Sequence, residues 1–389
     1  MRNMLGATTT ADRELFLRPS RAGCKESSRL LFPFLNLHVP LPRLTTCTIP
    51  FYHGCSFHLN NSQLRWRLSL MRNMQNDLLR LPPDSSLIHA GVMFACRSLA
   101  RTKSLPDSSN LRQLVAHTAA ELALRRWFDK QRVAYQLQAL QPFTQPERRS
   151  IILGGRRLHL HTQLISDPYT RRKILRNPGD ISDIEIPTIL TPPSRSLFEE
   201  GDLHLFGLVI AAETRSPSAL EATQERDHPM ALVALPPDPS WVQPARWRPF
   251  KKLTLENHCR HHVQLLLFGH NVSRQATQHP IQLSADAALS LDLPLHTLLC
   301  LHTQILPSAC LVVRCDRVNL PWQVKPHAWQ NLWLYGQAIL FPGWITQKQI
   351  RERCSTARAS HTSMRIKPIR IRAGTLEPIP RLLKLLENR

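Results

Sequence analysis

The run Ser150-Ile-Ile-Leu-Gly-Gly-Arg-Arg-Leu-His-Leu-His161 sets two imidazoles, His159 and His161, at alternate positions. Alternation puts both on one face of a strand. The Gly154-Gly155 pair, between two short apolar runs, predicts a tight hairpin. Upstream, Glu121 sits among Ala119, Ala120 and Ala123 in a segment with helical periodicity. A carboxylate on such a small-residue face costs free energy to bury unless it is paired or binds a metal. A second candidate is Asn257-His258-Cys259-Arg260-His261-His262. Its three imidazoles and one thiol suit a transition metal. No matching ligand pair occurs elsewhere at a standard spacing, so a polar turn is the preferred reading.

These groups need elements to position them. A helix capped by Ser85 or Ser86 is predicted to run to about Ala100, with Leu87, Val92, Phe94, Ala95 and Leu99 inward. A second, at about 111–132, carries Glu121 and turns Leu114, Val115, Leu122 and Trp127 inward. Residues 133–140 alternate as a strand, and the hairpin follows at 150–165. Arg171, Arg172, Lys173 and Arg176 form a short basic segment, expected to be helical and ended by Asn177-Pro178-Gly179. Together with Arg156 and Arg157 they are the candidate phosphate contacts. Residues 203–213 read as a buried helix. From Met230 the texture changes to strand-length apolar runs separated by turns, which predicts a mainly β part. The Trp-rich stretch from Trp322 to Trp344 could stack on unpaired bases, but core packing is the preferred reading. Thr346 with Gln349 has the spacing of a capping box. A strongly basic tail from Arg351 to Arg372 and a last helix at about 379–388 complete the chain.

The bulk composition narrows the partners. Lys and Arg number 50 against 28 Asp and Glu, a formal charge of +22. Such a charge repels itself unless an anion is near. Nucleic acid is the expected partner, DNA rather than RNA, with no membrane contact. The nine cysteines lack any Cys-x-x-Cys, against a zinc ribbon or a dense disulfide framework. Asp12 and Glu14 interrupt the place of a signal peptide, and no apolar run is long enough to span a bilayer, so a cytoplasmic location is expected. Residues 1–70, with few acids and repeated prolines, are expected to be disordered or a mispredicted extension ahead of Met71. No Gly-rich phosphate loop, Gly-x-Ser-x-Gly or His-Glu-x-x-His appears, which leaves no support for a kinase, a serine hydrolase or a dinucleotide enzyme.

The helix Ala120-Glu121-Leu122-Ala123-Leu124-Arg125-Arg126 and the hairpin Ser150 to His161 resemble the PD-(D/E)XK nuclease superfamily, in particular a bacterial subset of it. In that subset a helix Ala-Glu-Leu-Ala-x-Arg-Arg precedes a hairpin Asp-x-x-Leu-Gly-Gly-Arg-Arg-x-Asp-x-Lys. The likeness covers roughly residues 111–165. It implies a restriction-endonuclease-like α/β core over 85–225, followed by a mainly β domain over 226–389. It also implies a catalytic set of Glu121, Ser150, His159 and His161, with Glu121, His159 and His161 holding a divalent metal such as Mg, Mn or Zn. Here Ser150 stands for an acid, His159 for the second acid and His161 for the lysine. Mg²⁺ favours carboxylate oxygens, so the site has either decayed or changed metal, and decay is the preferred expectation. The expected function is DNA binding or processing, as in restriction or repair, with catalysis weak or lost. The alternative is a non-catalytic protein-interaction or RNA-binding protein.

Overall fold

The computed structural model describes residues 78–99, 106–137, 151–188, 198–243, 248–293, 295–358 and 369–387. The expected extension at 1–70, Ser150 and Trp247 lie outside the described residues.

The first part of the chain runs β1 (Leu79–Leu81), α1 (Ser85–Ser98), α2 (Ser108–Lys130), β2 (Tyr135–Leu137), β3 (Ile151–Leu153) and β4 (Arg156–Ile165). It continues through α3 (Pro168–Arg176), β5 (Glu185–Pro187), β6 (Leu203–Ala212) and α4 (Pro217–Glu225). Aspartates start the first three helices. Asp84 accepts from the Ser86 amide at 3.0 Å, Asp107 from Asn110 at 2.7 Å and Asp167 from Thr170 at 2.7 Å. The cap of α1 is therefore Asp84, one residue before the expected serine; its carboxylate takes a donor that a free helix end would leave unpaired. The helices α1 and α2 approach closely at Gly91, where a Cβ would lie 2.7 Å from the Val115 carbonyl oxygen.

Gly154 and Gly155 have φ of 56° and 75° and join β3 to β4. Two successive positive φ values are what a two-residue turn between twisted strands requires, and only glycine adopts them without strain.

Residues 203–212 correct the expected helix. They form β6, and all but Ala212 are buried. A strand covered on both faces loses its polar alternation, so its apolar run reads like a buried helix.

The second part contains β7 (Leu232–Ala234), β8 (Leu253–Asn257), β9 (Val263–Asn271), β10 (Ala276–Leu283), β11 (Ala288–Leu291) and β12 (Leu295–Thr303). Then come β13 (Leu311–Cys315), β14 (Val318–Val324) and β15 (Gln330–Asn331). They form two antiparallel sheets, ordered β10-β9-β12-β7-β15 and β11-β8-β13-β14. Trp241, Trp322, Trp329, Trp333 and Trp344 are all buried, as core packing requires.

The chain ends with β16 (Tyr335–Thr346), α5 (Gln347–Arg358), β17 (Arg370–Arg372) and α6 (Ile379–Glu387). The sheets do not separate at 225/226, the expected boundary. Strand β16 returns to pair with β6 and β1, giving a mixed six-stranded sheet ordered β1-β16-β6-β4-β3-β2. Its pairing satisfies the polar edge that β6 would otherwise leave open. Only β4 and β6 are parallel in this sheet, joined by a crossover through α3. The capping box forms as expected: the Thr346 amide donates to Gln349 Oε1 at 2.8 Å and the Gln349 amide to Thr346 Oγ1 at 3.2 Å. The helix α5 that it starts runs to Arg358, past the expected end at Cys354.

The sheet divides two apolar clusters. Leu158, Leu160 and Leu205 pack with Val115, Ala119, Ala123 and the rest of α1 and α2 on one side. Ile165, Ile174, Phe198, Phe206, Leu208 and Ile210 pack on the other. Among the described residues, no helix is long and apolar enough to cross a membrane.

Candidate functional site

Strand parity decides what the candidate residues can do together. Along β4, Leu158, Leu160 and Thr162 turn toward α2. Gln113 of α2 donates its Nε2 to the Thr162 carbonyl at 2.7 Å and accepts from the Leu164 amide at 3.0 Å, and His117 Nδ1 lies 3.0 Å from Thr162 Oγ1. Arg157, His159 and His161 turn the other way. Glu121, on α2, is 3.7 Å from Arg125 one turn on and stays partly exposed. The structure therefore separates Glu121 from His159 and His161 by the thickness of the sheet. Ser150, the fourth member of the expected set, lies outside the described residues.

What gathers around His159 and His161 comes from β6 instead. The parallel register sets His159 beside His204 and His161 beside Phe206. His161 Nε2 lies 2.9 Å from His204 Nδ1, so one ring donates and the other accepts. His159 Nε2 lies 3.3 Å from Asp202 Oδ2, and Arg157 Nε donates to Asp202 Oδ1 at 3.3 Å. Arg157 also reaches Glu199, and the Glu199 amide donates to Asp202 Oδ2 at 3.0 Å. His204 stacks between His159 and His161, with ring centroids 5.2 Å away on each side. Phe198 closes one end edge-on to His159 at 4.8 Å, and Phe206 covers His161 at 5.0 Å.

The row is sealed. His161 is 2% exposed, Asp202 2% and His204 0%. Burial pushes the pKa of His161 down to about 3, with smaller contributions from His159 and His117. Burial likewise holds His204 well below the ordinary histidine range, helped by His161 and His159. For Asp202 burial raises the pKa, but bonds from His159 and the Glu199 amide and the charge of Arg157 outweigh it, and the net shift is downward. Gln347, fully buried at the start of α5, lies against His204 and favours its charged form. Yet among the described residues neither His204 Nε2 nor the Gln347 amide makes a hydrogen bond of good geometry.

This arrangement does not fit the metal that the nuclease likeness implies. The helix carboxylate is on the wrong side of the sheet, and His161 Nε2 is engaged with His204. Among the described residues, no group of three or more His, Cys, Asp and Glu side chains is placed to hold a metal ion. The second candidate resolves into a turn. Asn257 donates to the carbonyls of His261 (3.0 Å) and Ser284 (2.8 Å) and accepts from the Cys259 amide at 2.9 Å. Cys259 is buried, whereas His258, His261 and His262 are exposed.

The candidate phosphate contacts divide as well. Arg157 is consumed by Asp202 and Glu199. Arg156 and Arg171 are half-buried, and Arg172, Lys173 and Arg176 of α3 are exposed. Lys173 has one acidic neighbour, Asp180, at 3.8 Å. Asp202, His204 and Gln347 were not among the expected site residues. A signal for His204 is present: Leu203-His204-Leu205-Phe206 repeats the pattern of Leu158-His159-Leu160-His161, and the two runs pair in register. Comparison of the chain with family models, curated proteins and solved structures finds no match.

Proposed function

We propose that the chain is a nucleic-acid-binding protein, with DNA as the expected partner, whose nuclease-like α/β core binds without cutting. The observation that carries the reading is the outward row of Arg172, Lys173 and Arg176 on α3, in a chain of net charge +22. Arginine and lysine in such a row neutralise phosphates and release counterions. The succession α2, β2, β3, β4, α3, β5, β6, with β4 and β6 parallel, supports a restriction-endonuclease-like description of the core. The split between Glu121 and the histidines supports loss of catalysis, because metal-assisted hydrolysis needs its ligands around one point. A cytoplasmic location belongs to the same reading.

The test is duplex DNA affinity measured as salt is raised, beside a cleavage assay in Mg²⁺, Mn²⁺ and Zn²⁺. The expected result is binding that falls steeply with salt and no cleavage in any metal. Replacing Arg172 and Arg176 with alanine should lower the salt slope by about one for each contact removed. Salt-independent binding, or no binding to either duplex or single-stranded nucleic acid, overturns the reading. Metal-dependent cleavage lost in Glu121→Gln would overturn its non-catalytic part.

A further inference from the structure

The large apolar side chains left exposed among the described residues are Leu137, Tyr169, Val272, Ile305 and Leu320. Tyr169 is the one aromatic, at 77% exposure, and it lies on α3. Residues three and four apart share a helix face, so Tyr169, Arg172, Lys173 and Arg176 form one outward stripe. Ile174 anchors the opposite side, 2% exposed. At 1.5 Å per residue the stripe is about 10 Å long. A single exposed aromatic is ordinary on a protein surface. An aromatic in line with three cations, on a helix fixed by an aspartate cap and a buried isoleucine, has the composition of a surface for unpaired bases. An exposed ring offers a face to a base, and the flanking cations meet the phosphates beside it. The tryptophans that the sequence offered for this role are buried.

We propose that α3 presents Tyr169 as a stacking platform for an unpaired base, with Arg172, Lys173 and Arg176 on the adjoining phosphates, so that the favoured partner is single-stranded nucleic acid. This rests on the nucleic-acid reading above and adds the strand state of the partner and a residue that senses it. A duplex presents phosphates to the same cations but keeps its bases stacked inside.

The experiment uses the full chain and three probes: a short mixed-sequence single-stranded DNA, the RNA of the same sequence, and the corresponding DNA duplex. Affinities are measured for the wild type, Tyr169→Ala, Tyr169→Phe and the double variant Arg172→Ala, Arg176→Ala. The expected result is tighter binding of a single strand than of the duplex. Tyr169→Ala should weaken single-strand binding about tenfold and leave duplex binding and the salt slope unchanged, while Tyr169→Phe retains wild-type affinity. The double variant should weaken all bound probes and flatten their salt dependence. Comparing DNA with RNA identifies which single strand is preferred. Salt-dependent binding that is indifferent to Tyr169→Ala, or equal loss on single strand and duplex, overturns the stacking platform and leaves the nucleic-acid reading intact. Absence of binding by the wild type to any probe overturns both.

Discussion

The two faces of β4 carry almost the same backbone and opposite chemistry. On the α2 side Leu158 and Leu160 join an apolar cluster built on alanines and a glycine, where close packing is the stabilising factor. On the other side His159, His161 and His204 are buried just as deeply, but their contact is polar and directional. The apolar face tolerates a change in proportion to the volume lost. The histidine face penalises any change that leaves one partner without the other. Both faces are sealed from solvent, so the three histidines are packed among core residues.

The largest effect that separates the faces should come from the apolar side. Leu205→Ala, in β6, should cost about 2–5 kcal/mol, as truncation of a buried leucine does. Urea denaturation gives the value, and a cost below 1 kcal/mol would mean that this side is loosely packed. His161→Leu should cost about 1–3 kcal/mol, since it leaves His204 Nδ1 buried without a partner. Adding His204→Leu should recover most of that loss, because two apolar groups need no hydrogen bond. A double variant as unstable as the sum of the singles would show that the 2.9 Å contact contributes nothing of its own.

Acid should probe the same face in the wild type. The folded-state pKa of His161, about 3, lies below its ordinary 6.5. Its unfolded form takes up a proton as pH falls through 6.5 while the folded form does not. Stability is then full above about 6.5 and falls by up to ~1.4 kcal/mol per pH unit for this group until its folded pKa is reached. His204 adds to the slope in the same direction. Denaturation midpoints at neutral and mildly acid pH should therefore converge in the His161→Leu, His204→Leu variant relative to the wild type. The net downward shift of Asp202 has the same sign but acts lower: its contribution is present above the ordinary carboxylate pKa and disappears as pH falls toward the folded value.

The smallest effect belongs to Glu121. Its contact with Arg125 is a partly exposed pair one helical turn apart. Glu121→Gln should change stability by only about 0.3–0.5 kcal/mol, and DNA affinity not at all. A large loss of affinity or stability in that variant would place Glu121 in a site of its own.

Much of the local structure was legible in the residues. The Gly154-Gly155 turn, the helix bearing Glu121, the Thr346–Gln349 box and the buried tryptophans all follow from short-range patterns. The same patterns misread β6, since a strand buried on both faces carries no alternation. They also placed the run 332–341 with the strands before it, although β16, which contains most of it, pairs with β6 more than a hundred residues earlier.

By itself the sequence determined a basic chain, a hairpin with two histidines on one face, and a helix carrying one carboxylate. Those depend on backbone periodicity, turn geometry and charge, which neighbours in sequence settle between themselves. Which face of the sheet each group meets was decided only by tertiary structure. The α3 crossover laid β6 parallel to β4 and brought Asp202 and His204 to the histidines, while α2 packed on the other side with Glu121. A strand has two faces of equal standing in sequence, and only the layers packed against them decide which groups each face buries and brings together.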